Sequence, residues 1–248
     1  MKRFSWPVRS SLGDKYLMAL TGVALFGFVI AHMLGNLLIF VGPDALNSYA
    51  QALKDKPELL WPARLGLLTV FVLHVIFGIR LSLQNRQARG VAYVHEDTVQ
   101  ASWASRNMLL TGLVLLAFVV FHLAHFTLGI VTTYRESGSS ESVNYLKLDD
   151  AKYAAAHPSD PKRHDVYTMV VSGFRNGLVT ITYVIAQVFL WLHLWHGGSS
   201  WFQSLGFNHP AYNPLIRAFG PVVSTAILIG NCSIPLAVMS GIIGGSVP

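Results

Sequence analysis

Six histidines stand inside long apolar stretches of this chain: His32, His74, His122, His125, His193 and His196. Four more, His95, His157, His164 and His209, stand in polar connections, where a solvated imidazole is the default. A lone histidine in an apolar span is ordinary as an interhelical hydrogen-bonding group. One or two on each of four successive spans is a costly pattern that packing does not require. Neutral imidazole is the common nitrogen ligand for metals, and helix-bundle cores are where cofactor sites are built. Two imidazoles on one haem iron leave no open position, so the chemistry they suit is electron transfer rather than oxygen binding.

The spacing repeats. His32 follows Thr21-Gly22 by eleven residues counted from the threonine, and His122 follows Thr111-Gly112 by the same interval. Leu73-His74 is followed by Gly78, and Leu192-His193 by Gly197. The first span thus echoes the third and the second echoes the fourth, which favours His122 over His125 and His193 over His196. Depth agrees. His32 lies 17 residues past Lys15 and His122 lies 16 past Arg106, roughly 25 Å of helix at ~1.5 Å per residue. His74 lies 12 residues before Arg86, about 18 Å, and His193 lies near the end of its span. The expected pairs are His32 with His122 in the outer half and His74 with His193 in the inner half. Gly22, Gly27, Gly78, Gly112 and Gly197 would let backbone approach a flat macrocycle, or simply let helices pack.

The elements that position these residues are long apolar blocks. Of 248 residues 52% are apolar and 12% charged, about half the ~25% charge usual for a soluble domain. Mean hydropathy is +0.46. A helix needs about 20 apolar residues to cross a bilayer core, and five blocks qualify: Lys15 to Val41, Pro62 to Gln84, Arg106 to Thr132, Tyr167 to Gly197 and Asn213 to Gly244. The expectation is an all-α polytopic membrane protein, one domain over residues 1–248, with spans I–IV forming a haem-binding four-helix bundle. The largest loop, Tyr134 to Asp165, is polar and acidic.

Net charge is +6, which fits the Lys and Arg enrichment of cytoplasmic loops better than nucleic-acid binding. The cluster Arg80, Arg86, Arg89 and Arg106 places the N-terminus inside and the C-terminus outside. The lone cysteine, Cys232, excludes an intrachain disulfide and a thiolate cluster. No Cys-x-x-Cys-His occurs, so the haems would be two non-covalent b-type groups. Their propionates would draw Arg80 and Arg106 on the inner side and Arg175 on the outer.

These residues resemble a known family. Thr21-Gly22 through His32-Met33-Leu34-Gly35-Asn36, His74 to Arg80, Thr111-Gly112 to His122, and Leu192-His193 through Phe202-Gln203-Ser204-Leu205-Gly206 are similar to the di-haem cytochrome b subunit of succinate:quinone oxidoreductases and quinol:fumarate reductases, in its single-subunit five-helix form. The resemblance covers nearly the whole chain. It implies four axial histidines, His32, His74, His122 and His193, and a bacterial cytoplasmic membrane location. It implies an iron–sulfur subunit and a flavoprotein subunit as partners, with succinate oxidised on the latter. This chain would be the non-flavin, membrane-anchoring part, carrying electrons to menaquinone or ubiquinone. It has no Gly-x-Gly-x-x-Gly for FAD and too few cysteines for an iron–sulfur cluster. Two departures stand out. Trp191 occupies the position at which some fumarate reductases carry a proton-route glutamate, and Gln203 and Ser204 stand where some members place a lysine. For a quinone, the candidates are Asn36 and His125 on the outer side and Trp6, Ser11 and Arg106 on the inner.

Two other readings compete. One is the cytochrome b subunit of a different membrane dehydrogenase. The other is a transporter that uses intramembrane histidines for a metal ion or protons, which predicts carboxylates beside them and broken helices at mid-membrane.

Overall fold

The computed structural model describes residues 11–88, 102–130 and 165–245, and the backbone of two short strands, β1 (Thr133–Tyr134) and β2 (Val143–Asn144), paired antiparallel. The rest of the described architecture is helical. In order come α1 (Ser11–Asn36) with a 3₁₀ turn at Leu37–Phe40, α2 (Pro43–Lys54), α3 (Pro57–Ala88), α4 (Trp103–Arg106) and α5 (Met108–His122), which ends in a π-helical turn at Leu123–Thr127. Then follow α6 (Val166–Phe174), α7 (Gly177–Ser204) and α8 (Asn213–Met239).

Five helical segments are long and apolar enough to cross a membrane: Ser11–Phe40, Pro57–Ala88, Met108–Thr127, Gly177–Ser204 and Asn213–Met239. The protein is therefore an all-α, multi-pass membrane protein. Large apolar side chains such as Leu65, Leu68, Val120, Leu178, Leu215 and Ile229 lie more than half exposed. In lipid that is the satisfied state, because the helix already bonds its own backbone and only apolar side chains need face hydrocarbon.

Three boundaries depart from the expected ones. The connection after span I contains a helix, α2, whose N-terminus is set by Gly42 at φ 133 and Pro43 at the first turn. It buries Leu46 and Asn47. The expected fourth span, Tyr167 to Gly197, is two helices. The break falls at Arg175–Asn176, where the Asn176 carboxamide oxygen accepts from the backbone N–H groups of Leu178 and Val179 at 3.0 and 3.3 Å. That bond satisfies two of the donors that open α7. The start of the third span is a separate turn, α4, capped by the Ser102 hydroxyl, which accepts from Ser105 N. The fifth helix continues through Pro235 to Met239.

By contacts between Cα atoms, the chain divides into two compact units. One comprises Met1–Ile30, Pro62–Leu113 and Phe189–Ile227; the other comprises Ala31–Trp61, Val114–Val188 and Leu228–Pro248. In the first, α7 and α8 cross closely. A Cβ on Gly220 would meet Ser199 Oγ at 2.6 Å, and the Trp191 indole donates to Thr225 Oγ1 at 3.1 Å. Asp14, fully buried, accepts from Arg80 Nε and from Gln84 Nε2, both at 2.9 Å. A buried carboxyl group needs such hydrogen-bond partners in place of water. In the second unit the core gathers Ile39, Leu46, Tyr167, Val171, Phe174, Tyr183, Ile234 and Val238. Asp165 ties α2 to α6 there: it accepts from Asn47 Nδ2 at 2.9 Å and caps α6 through Thr168 N at 3.1 Å, while Asn47 Oδ1 accepts from Tyr167 N at 2.9 Å.

Candidate metal centres

Each unit holds one pair of facing imidazoles. In the first, His74 on α3 and His193 on α7 have ring centres 6.4 Å apart with planes at 70°. In the second, His32 on α1 and His122 on α5 have ring centres 5.9 Å apart with planes at 90°. Two imidazole nitrogens on opposite sides of one metal, with bonds of about 2 Å, hold ring centres roughly 6 Å apart. The ring centres of both pairs lie close to that separation.

The first pair is built from a device used twice. The Thr21 hydroxyl lies 3.1 Å from His74 Nδ1, and the Thr111 hydroxyl lies 3.0 Å from His193 Nδ1. The next residue is glycine each time. A Cβ on Gly22 would come 3.3 Å from His74 Cε1, and one on Gly112 would come 3.5 Å from His193 Cε1. One turn further along each histidine's helix the contacts recur, with Gly78 against Met18 and Gly197 against Met108. Four of the five glycines noted in the sequence thus face histidine or methionine side chains. Gly27 faces no atom within 4 Å.

The second pair is held differently. His122 Nδ1 lies 3.2 Å from the Tyr183 hydroxyl, and His125 Nδ1 lies 3.0 Å from the same oxygen. Residues three apart on a helix share a face, so both histidines reach one phenol; a π-helical turn starts after His122, closed by Leu128 N to Leu123 O at 2.9 Å. Such turns concentrate at functional sites. His125 is 2% exposed and stacks on Phe126 with ring centres 3.9 Å apart. Its Nε2 has no hydrogen-bond partner among the described residues and sits against Gly173.

The remaining candidates are scattered. Arg80 is engaged by Asp14, and Arg175 Nη2 donates to the Gly244 carbonyl at 2.8 Å. Arg106 ends α4 and is exposed. Asn36 sits at the junction of α1 and the 3₁₀ turn, and Ser11 is the exposed first residue of α1. Trp6 lies outside the described residues. Trp191 packs on Trp195 with ring centres 5.0 Å apart and bonds Thr225, so an indole fills that position.

Sequence reasoning passed over Tyr183. Its signal is a phenol within an apolar span, a group that must find a hydrogen-bond partner there. The pair Gln187 and Asn231, joined by a 2.8 Å amide bond from Asn231 Nδ2 to Gln187 Oε1, carried the same signal. Among the described residues, no three His, Cys, Asp or Glu side chains group as a site for a metal ion. Compared with known proteins, the chain matches no family model, no curated protein and no solved structure.

Proposed function

We propose that this chain is the membrane-anchor and electron-transfer subunit of a succinate:quinone oxidoreductase or quinol:fumarate reductase. In this reading it binds two b-type haems and joins an iron–sulfur partner to a membrane quinone. The observation that carries the reading is the double pairing of imidazoles at 5.9 and 6.4 Å, each within apolar helices. A metal given only two protein ligands needs the rest of its coordination from the ligand itself, and a porphyrin supplies it. When bound, haem provides a one-electron iron couple.

The chain's own residues then have defined work. His74 and His193 hold the inner group, and His32 and His122 the outer one. Thr21, Thr111 and Tyr183 orient three of these rings through Nδ1. In a membrane, the exposed aliphatic residues of the spans would face hydrocarbon rather than water. With the N-terminus inside, the described residues 11–15, 86–88, 102–106 and 198–212 lie on the side expected to receive the iron–sulfur subunit, with the flavoprotein beyond it; residues 1–10 and 89–101 lie outside the described residues. Arg80, Arg106 and Arg175 supply cationic donors for propionates, and Asn36, His125, Ser11 and Trp6 remain the quinone candidates.

The test is substrate-driven reduction. In membranes holding the native complex, succinate reduces b-type haem carried by this chain, and added quinone reoxidises it. Haem that dithionite reduces but succinate leaves oxidised would assign the chain to a different membrane dehydrogenase.

A further inference from the structure

We propose that Thr21 and Thr111 are positioning residues for His74 and His193: each hydroxyl accepts the Nδ1–H of the facing ring, holds that tautomer, and leaves Nε2 unprotonated for a metal. The inference deepens the haem reading and rests on it for the identity of the metal group, though not for the tautomer.

Proton bookkeeping carries it. A threonine hydroxyl has one proton to donate and lone pairs to accept with. Thr21 Oγ1 lies 2.7 Å from Leu17 O and 3.1 Å from Met18 O. Thr111 Oγ1 lies 3.1 Å from both Asn107 O and Met108 O. Carbonyls only accept, so each hydroxyl proton turns back to its own helix, the usual habit of threonine in a helix. With the hydroxyl proton so placed, a lone pair is left toward the imidazole, and Nδ1 at 3.1 or 3.0 Å is in position to donate to it; the Met18 backbone also bonds the His74 ring. A metal on Nε2 demands the same tautomer, because the ring's one proton must then sit on Nδ1. Thr21 and Thr111 are 7% and 1% exposed, so water does not compete for these bonds.

The geometry occurs twice, on α1 against α3 and on α5 against α7, with the same companions. The glycine after each threonine faces His Cε1, and the methionine three residues before it faces the glycine four residues past the histidine. A bond from Nδ1–H to an acceptor makes the imidazole a stronger donor to metal and fixes the ring's orientation. Helix packing alone asks only for small side chains at Thr21 and Thr111, and valine would serve it equally.

The experiment uses the full chain in membranes with ring-15N histidine, with and without haem, comparing Thr21→Val, Thr111→Val and the serine variants. Valine keeps the threonine's volume and removes its acceptor; serine keeps the hydroxyl. The expected result is loss of the Nδ1–H tautomer from one histidine resonance in each valine variant. It returns in Thr21→Ser and Thr111→Ser. In the haem-loaded chain, the valine variants raise the midpoint potential of one haem and leave the other unchanged. Unchanged tautomers and potentials in both valine variants would overturn the proposal, reducing the threonines to packing. A tautomer shift in a chain that binds no haem would uphold the positioning role and remove the haem reading instead.

Discussion

On the proposed haem reading, replacing His74 or His193 with alanine is expected to cost the chain one b-type haem and leave the other. Each pair sits in its own compact unit, His74 with His193 in one and His32 with His122 in the other. A single imidazole leaves an iron five-coordinate, so loss of either partner ends bis-histidine ligation at that site and weakens its hold on haem. The reduced-minus-oxidised spectrum drops by roughly half, and the remaining signal keeps the bis-histidine signature. Each variant also forfeits one threonine–histidine hydrogen bond, worth about 1 kcal/mol, and leaves a cavity where the imidazole packed. Equal loss of both haems in either variant would contradict the independence of the pairs.

His122→Ala and His125→Ala separate two histidines that lie on one turn. The ring centre of His122 lies 5.9 Å from that of His32, whereas His125 stacks on Phe126 and, among the described residues, bonds Tyr183. On the proposed reading, His122→Ala is therefore expected to lose the haem assigned to it and His32. His125→Ala retains both haems and alters the outer one only through Tyr183, whose hydroxyl loses one of two imidazole neighbours. Haem quantification on the two purified variants checks this. Loss of a haem from His125→Ala with retention in His122→Ala would reverse the assignment on this helix.

The parts of the fold legible in the sequence are those written in long-range composition. Five apolar blocks announce five spans because no soluble packing would use so many apolar residues in a row. The histidine partners that depth arithmetic assigns are the ones whose rings lie together, since rise per residue is nearly constant along a helix. Local deviations were harder to read. Helix α2 carries Leu46, Tyr49 and Leu53 at helical spacing, but it is short and amphipathic, below the length on which a membrane-span search depends. The break at Asn176-Gly177 was visible as a turn dipeptide, yet apolar residues run across it without a gap. The π-helical turn at Leu123–Thr127 changes the hydrogen-bond register by one residue over five, too few for periodicity to register. The Thr-Gly repeat was legible as a repeat. Its use was not, because the histidine it seats lies on the neighbouring helix and not the one eleven residues along its own.

The most direct test of the electron-transfer account is haem content. The full chain is purified, haem is quantified per polypeptide, and a dithionite-reduced minus oxidised visible spectrum is recorded. Two non-covalent b-type haems per chain is the predicted result, with all four of His32, His74, His122 and His193 engaged. A chain that folds and carries no haem would contradict the account and leave a histidine-lined path for protons or metal ions as the reading to pursue.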